Sequence, residues 1–270
     1  MVQLAALLGH FESLWPIEGA ESWDAPGLIT GSPLKNVHRV LLSVDVTSEV
    51  VEAAVNSETD LLISHHPYLM RGVKNLAENT AKGSVIATAI RANLAMFAAH
   101  TNADIVVDGV SDVLAKCLGL SNPLPLVPIS NTTGTGRVGQ LSEVISLGEF
   151  AAKVARALPN TASGVRVSGD YNRLIERVAV CGGAGDAFID AAFAAGADVY
   201  VTSDLRHHVT QDAGELARLS GGPALIDISH WAAEFLWLEV AAEQLRRIYP
   251  ELTVEVCDLR SDPWDFVVTQ

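Results

Sequence analysis

Four short polar clusters in this chain gather side chains that can hold and use metal ions. They are Ser64-His65-His66-Pro67, His100-Thr101-Asn102-Ala103-Asp104, Thr202-Ser203-Asp204-Leu205-Arg206-His207-His208 and Ser229-His230-Trp231-Ala232-Ala233-Glu234. Six of the eight histidines fall in them, a concentration that surface decoration does not produce. Imidazole and carboxylate together suit Zn, Mn, Fe and Co better than Ca or Mg. His230 and Glu234, one helical turn apart, share a helix face and can reach one ion. His65 and His66, adjacent at a strand end, can serve one ion or two. The candidate ligands are therefore His65, His66, Asp104, His230 and Glu234. Such a set suffices for two ions only if carboxylates bridge and water completes the shells. That is the arrangement of a two-metal hydrolytic site, whose ions sit about 3.5–4 Å apart. Taken singly, an HH pair or an HxxxE spacing is common on surfaces and helices, so the metal reading rests on the four clusters together. His10 and His38 lack such company and are expected to be structural. His207 and His208 fit a substrate contact, a group behind the ligands or a helix start.

Each cluster directly follows a short apolar run, and open α/β sheets bind ligands at the carboxyl ends of their strands. These runs alternate with amphipathic stretches, which predicts an α/β fold. Strands are expected at 37–44, 60–64, 94–99, 165–168, 178–181, 198–202 and 224–228. Helices are expected at 3–14, 48–55, 82–92, 110–118, 149–158, 187–195, 209–219 and 232–248. Ser146 and Glu149 have the spacing of a capping box. Three prolines followed by a Thr/Gly run make 122–136 the expected linker. Sliding 37–64 onto 175–202, an offset of 138, matches Arg39 with Arg177, Val40 with Val178 and Asp60 with Asp198. One strand later, an offset of 130 matches His100 with His230 and Asp104 with Glu234. The chain thus reads as a duplication, with one α/β repeat in 1–125 and a second in 126–270.

Composition narrows the function. Eighteen Lys and Arg stand against 32 Asp and Glu, a formal charge of −14. That balance repels phosphate backbones and argues against nucleic acid as the main partner. A hydrophobic content of 49% with 19% charged residues excludes a disordered chain. The mean hydropathy of +0.26 suggests surface hidden in an oligomer. No apolar stretch reaches the ~18 residues of a membrane span, and the first residues carry no basic leader, so a cytoplasmic protein is expected. Three scattered cysteines agree with a reducing compartment.

Two further segments stand out. Cys181-Gly182-Gly183-Ala184-Gly185-Asp186 reads as a turn that either holds an anion on its N–H groups or is simply tight. The loop Ala20-Glu21-Ser22-Trp23-Asp24-Ala25-Pro26-Gly27-Leu28, with its one large aromatic, either covers a site or packs on the first helix. In this order, SHHP, HTNAD, TSDLRHH and SHWAAE, with the WDAPGL loop and the CGGAG segment, resemble the dinuclear-metal-centre hexameric proteins. These are the NGG-interacting-factor-like family, also called GTP cyclohydrolase I type 2 homologues. The resemblance spans the chain and implies two intertwined, duplicated α/β domains with mixed sheets, the metal site at strand C-terminal ends between them, and a toroidal homohexamer. It places the family's ligands on His65, His66, Asp104, His230 and Glu234, and puts Ser203 where the family has glycine.

The function expected from this resemblance is a hydrolase using two divalent transition ions (Zn, Fe or Mn) on a purine nucleotide, GTP being the suggestion. Water made acidic by the ions, with a pKa near ~7, would attack an electrophilic ring carbon. His100 would orient Asp104 or move protons, and Asp204 or His208 would assist as acid or base. Arg71, Lys74 and Arg206 are the expected phosphate contacts. The alternatives are a non-catalytic metal-binding regulatory or scaffold hexamer, and a two-metal phosphoesterase.

Overall fold

A computed structural model describes residues 1–269. The chain divides by its contacts into two units, Met1–Ala103 with Leu238–Ser261, and Asp104–Trp237 with Asp262–Gln270. The expected boundary at 125/126 falls inside a strand of the second unit, and the chain changes unit at 103/104, 237/238 and 261/262.

The first unit contains β1 (Val2–Gln3), α1 (Leu4–Leu14), β2 (Gly27–Thr30), β3 (Asn36–Val37), β4 (Arg39–Ser43), α2 (Ser48–Asn56), β5 (Leu61–Ser64), α3 (Ala81–Arg91) and β6 (Ala95–Ala98). A short helix, α4 (Thr101–Asp104), leads into the second unit. There follow α5 (Val110–Cys117), β7 (Ser121–Pro128), β8 (Gly134–Ser146), α6 (Leu147–Ala157), β9 (Arg166–Ser168), β10 (Leu174–Ala184), α7 (Ile189–Ala194), β11 (Val199–Ser203), α8 (His207–Ser220) and β12 (Ala224–Ile228). Helix α9 (His230–Ile248) begins in the second unit and ends in the first, where β13 (Thr253–Val256) completes the sheet.

Both main sheets are mixed. In the first unit the order is β13-β4-β5-β6-β2, parallel except for β2. In the second it is β7-β8-β10-β11-β12-β9, with β10, β11 and β12 parallel and the others antiparallel. The α/β architecture read from the sequence is therefore the observed one. The parallel strands are apolar on both faces because helices cover both. Val178 and Val180 of β10 enter one core with Phe150 and Val154 of α6, while Ala179 and Cys181 enter the other with Tyr200 and Ile189. In the first unit Val50, Val51 and Ala54 of α2 and Val85, Ile86 and Ala89 of α3 pack on Leu41, Leu62 and Met96.

The repeat survives in three dimensions. The succession α1-β2-β4-α2-β5-α3-β6 is matched by α6-β9-β10-α7-β11-α8-β12, each ending beside an antiparallel edge strand. Asp60 accepts hydrogen bonds from the amides of His38 and Arg39, and Asp198, its partner at an offset of 138, accepts from those of Glu176 and Arg177. One carboxylate in each copy thus ties the starts of the first two core strands.

The expected linker is not one. Residues 121–128 and 134–146 pair as the antiparallel ribbon β7-β8. Pro123, Pro125 and Pro128 are tolerated because β7 is an edge strand, where a missing N–H costs no ladder bond. The glycine-rich segment likewise ends strand β10. The capping box forms as expected: Ser146 Oγ accepts from the Glu149 amide at 3.2 Å, and Glu149 accepts from the Ser146 amide at 2.9 Å. Ser146→Ala should therefore lower stability by about 1 kcal/mol in urea unfolding. A loss of a tenth of that would show the cap to be dispensable. Among the described residues no helix is long and apolar enough to cross a membrane.

Candidate metal centre

All four polar clusters sit at carboxyl ends of parallel strands, as expected. In the first unit, the pairing of β5 with β4 runs past Ser64, since the amides of His65 and His66 donate to Ser43 O and Val44 O. Ser64 Oγ donates to His66 O at 2.9 Å, which fixes the turn that presents both rings. His100 follows β6. The three imidazoles form one group, with ring centroids 5.1–5.3 Å apart and one nitrogen from each within 4.8 Å of the others.

The other nitrogen of each ring is engaged. His65 Nδ1 donates to Ala99 O at 2.8 Å, His66 Nδ1 to Asp45 at 2.7 Å, and His100 Nδ1 to Asp24 at 2.8 Å. A proton held on Nδ1 leaves Nε2 as the ligand atom, and the acceptor behind it sets the ring's orientation and basicity. His100 is thus held as His65 and His66 are and groups with them, beside the orienting or proton-moving role expected for it. Asp24 and Asp45 were not singled out there as site residues. Asp45 directly follows the β4 run, so it is a fifth strand-end polar residue. The Trp23-Asp24 loop lies on His100, with Trp23 edge-on to its ring at 5.9 Å. Burial works against the Asp24 charge, but hydrogen bonds from His100 and Thr101 outweigh it and hold the carboxyl down at about 2.

In the second unit, β12 ends at Ile228 and Ser229 caps α9, its Oγ accepting from the Ala232 amide and donating to Asp262. That cap starts the helix so that His230 and Glu234 share one face, with Nε2 and Oε1 2.8 Å apart. His230 Nδ1 is bonded to Asp204 at 2.7 Å, the same arrangement as at the other three histidines. Asp204 holds a left-handed backbone (φ 58°) just after β11. Glu234 is 2% exposed. Burial disfavours charge on His230, but the carboxylates of Glu234 and Asp204 outweigh it and raise its pKa well above the ordinary value. A proton held there competes with any cation, since an imidazole must be neutral to ligate.

Gly183, at the end of β10, has φ +71°, and a Cβ there would lie 2.9 Å from Glu234 Oε1 and 3.5 Å from His230 Nε2. Only a glycine leaves that space open. Cys181 beside it is buried, and burial followed by the fields of Asp104 and Glu234 pushes its thiol up to about 12. His208 lies exposed at the start of α8 with its ring against His207 at 5.1 Å. Of the expected phosphate contacts, Arg71 and Lys74 are exposed on the irregular stretch 69–80, whereas Arg206 is paired with Asp186 at 3.0 Å.

The sequence profile of the Duf34/NIF3 (NGG1p interacting factor 3) family matches residues 2–263. A protein of Streptomyces coelicolor named GTP cyclohydrolase 1 type 2 homolog is 43% identical over 272 residues, covering 98% of this chain and 94% of its own. A like-named protein of Mycobacterium tuberculosis is 31% identical and covers 98% and 97% respectively. That alignment runs over 373 positions, more than the 270 residues here, so this relative carries inserted segments. The solved structure of a Bacillus cereus protein related to NIF3 superposes with a TM-score of 0.89 at 26% identity, covering 97% of this chain and 98% of that one.

Proposed function

This chain belongs to the Duf34/NIF3 family, and on that premise we propose that it is a dinuclear-metal-dependent hydrolase acting on a purine nucleotide. His65, His66, Asp104, His230 and Glu234 are its proposed ligands. The observation that carries the reading is the shared state of four imidazoles, each tied through Nδ1 to a carbonyl or carboxylate. Metal-binding histidines are typically held in this way. The donor set fits Zn, Fe or Mn, and Gly183 keeps the space beside Glu234 clear.

When bound, two such ions supply Lewis acidity and bring the pKa of water to about 7. The protein's own groups do the rest. Asp24, Asp45 and Asp204 hold the rings of His100, His66 and His230. In this proposal Asp204 is a positioning residue through its bond to His230, and His208 is the remaining acid or base. Arg71 and Lys74, which carry no carboxylate partner among the described residues, are the phosphate contacts. The relatives' name supplies GTP as the substrate to try first. In this proposal the chain works in the cytoplasm as a homohexamer, and the exposed Trp264, Phe266 and Val268 support burial of surface in an oligomer.

The experiment is to load the purified protein with Zn, Fe or Mn and follow GTP loss and formate release. Turnover should vanish in the His66→Ala, Glu234→Ala double variant. Equal rates in native and double-variant protein would remove the assignment. Phosphate release in place of formate would move it to a phosphoesterase.

A further inference from the structure

Helices α3 and α8 hold equivalent places in the two copies of the repeat, yet they seat differently. Helix α3 buries Gly83, Val85, Ile86 and Ala89 against its sheet. None of the 14 residues of α8 is buried. Between α8 and the β12-β9 edge lies a cavity of about 740 Å³. Its walls include Leu205, Leu225 and Pro223, with Thr210, Gly214 and Ala217 on the helix side. Those three recur at the spacing of one helix face, so the helix offers too little side-chain volume to fill the gap. The helix is held instead along its flank, by Val209 and Ala213 packed with Leu205, Leu225 and Ile189.

The cavity's charged groups indicate what it takes. Arg166 is paired with Asp227, and Arg218 with Glu215 at 3.2 Å. Asp170 accepts the Asn172 amide and has no basic partner among the described residues, so the three lining arginines are matched by three lining carboxylates. Arg173, half-buried, is the one lining arginine with no carboxylate partner among the described residues; its guanidinium donates to Gly222 O at 3.0 Å. A volume in the ~300–1,000 Å³ range, apolar walls and one arginine with no carboxylate paired to it make a small-molecule site. We propose that this cavity binds a small organic anion, its apolar body beneath α8 and its carboxylate or phosphate on Arg173. Nothing in this reading draws on the metal centre, so the two stand or fall separately.

The test is calorimetric titration of the full-length protein with octanoate, octyl phosphate and, as the neutral control, octanol. One site per chain is expected for the anions, and the tighter of the two identifies the headgroup. Arg173→Met should weaken both anions about tenfold or more while leaving octanol unchanged, because it removes a charge-assisted hydrogen bond. Gly214→Leu should fill the cavity, abolish binding of all three probes and raise the melting temperature, since it also replaces a mid-helix glycine. Anion affinities unchanged in Arg173→Met, or no binding to the native protein at millimolar probe, would overturn the proposal. Were Gly214→Leu to fail to fold, the Arg173→Met comparison would decide alone.

Discussion

Asp112→Asn should destabilise the second unit by about 3–5 kcal/mol, the range for breaking a buried ion pair from one side. Arg137, on β8, is 1% exposed and spends its donors on Gly134 O, Gly136 O and Val106 O, at 2.7–2.8 Å, and on Asp112 Oδ1 at 3.0 Å. It thereby fastens the β7-β8 ribbon to the chain around α5. Asn has nearly the shape of Asp, so the variant keeps the packing and leaves the guanidinium charge buried without its counter-charge. Burial works against the Asp112 charge, but bonds from Lys116 and the Asp108 amide, with the Arg137 charge, outweigh it and hold its pKa below the usual value. The sign follows. A carboxyl with a depressed folded pKa contributes stability above its unfolded value of ~3.9 and loses it as pH falls through the folded one. The gap between native and variant protein should therefore be full at neutral pH and close below about pH 4. Urea unfolding at several pH values measures this, and a gap independent of pH would show that the charge is not its source.

The fold was legible where buried strands announce themselves. Leu61–Ser64 and Val199–Ser203 are buried throughout, and their apolar runs flanked by polar clusters were readable without partners. The β7-β8 ribbon was not, because local chemistry assigns prolines and a Thr/Gly run to a loop. Only the knowledge that β7 pairs on one side explains why Pro125 can stand opposite Arg137. Strand β13 was hidden for another reason: Thr253–Val256 pairs with Arg39–Leu42, more than 200 positions away, and no local pattern carries such a pairing.

The candidate ligands were legible because histidines concentrate after strands. Their supports were not, since isolated acids such as Asp24 and Asp45 recur everywhere in a chain with 32 of them. His100 shows the same limit. The offset that pairs it with His230 already matched it to a proposed ligand, but the sequence could not show that its Nδ1 is tied to Asp24 as His230 Nδ1 is tied to Asp204. The repeat also accounts for the asymmetry of the two copies. Where the first has Asp45 and His66, the second has Gly183 and Asp204, so an acid supporting a histidine within one copy has become an acid supporting His230 beside an opened space.

That asymmetry sets the second large expectation. Removing Asp204 as Asp204→Ala should weaken binding of the ion proposed for His230 and Glu234 about 10–100-fold, the usual effect of losing the group behind a ligand histidine. Glu234→Gln should cost more, since it removes charge from a ligand 2% exposed to water while keeping its shape. Gly183→Ala should fall between them: its Cβ would press on Glu234 Oε1 from 2.9 Å, and its φ of +71° is strained for any side chain. Competition with a chromogenic zinc chelator gives all three affinities, and circular dichroism checks that each variant is folded. If the three folded variants bound zinc as tightly as the native protein, His230 and Glu234 would not be ligands. A loss confined to Glu234→Gln would keep the ligand but free Asp204 for the acid–base role that its position after β11 first suggested, because a carboxylate that merely supports an imidazole cannot be removed without cost to the metal.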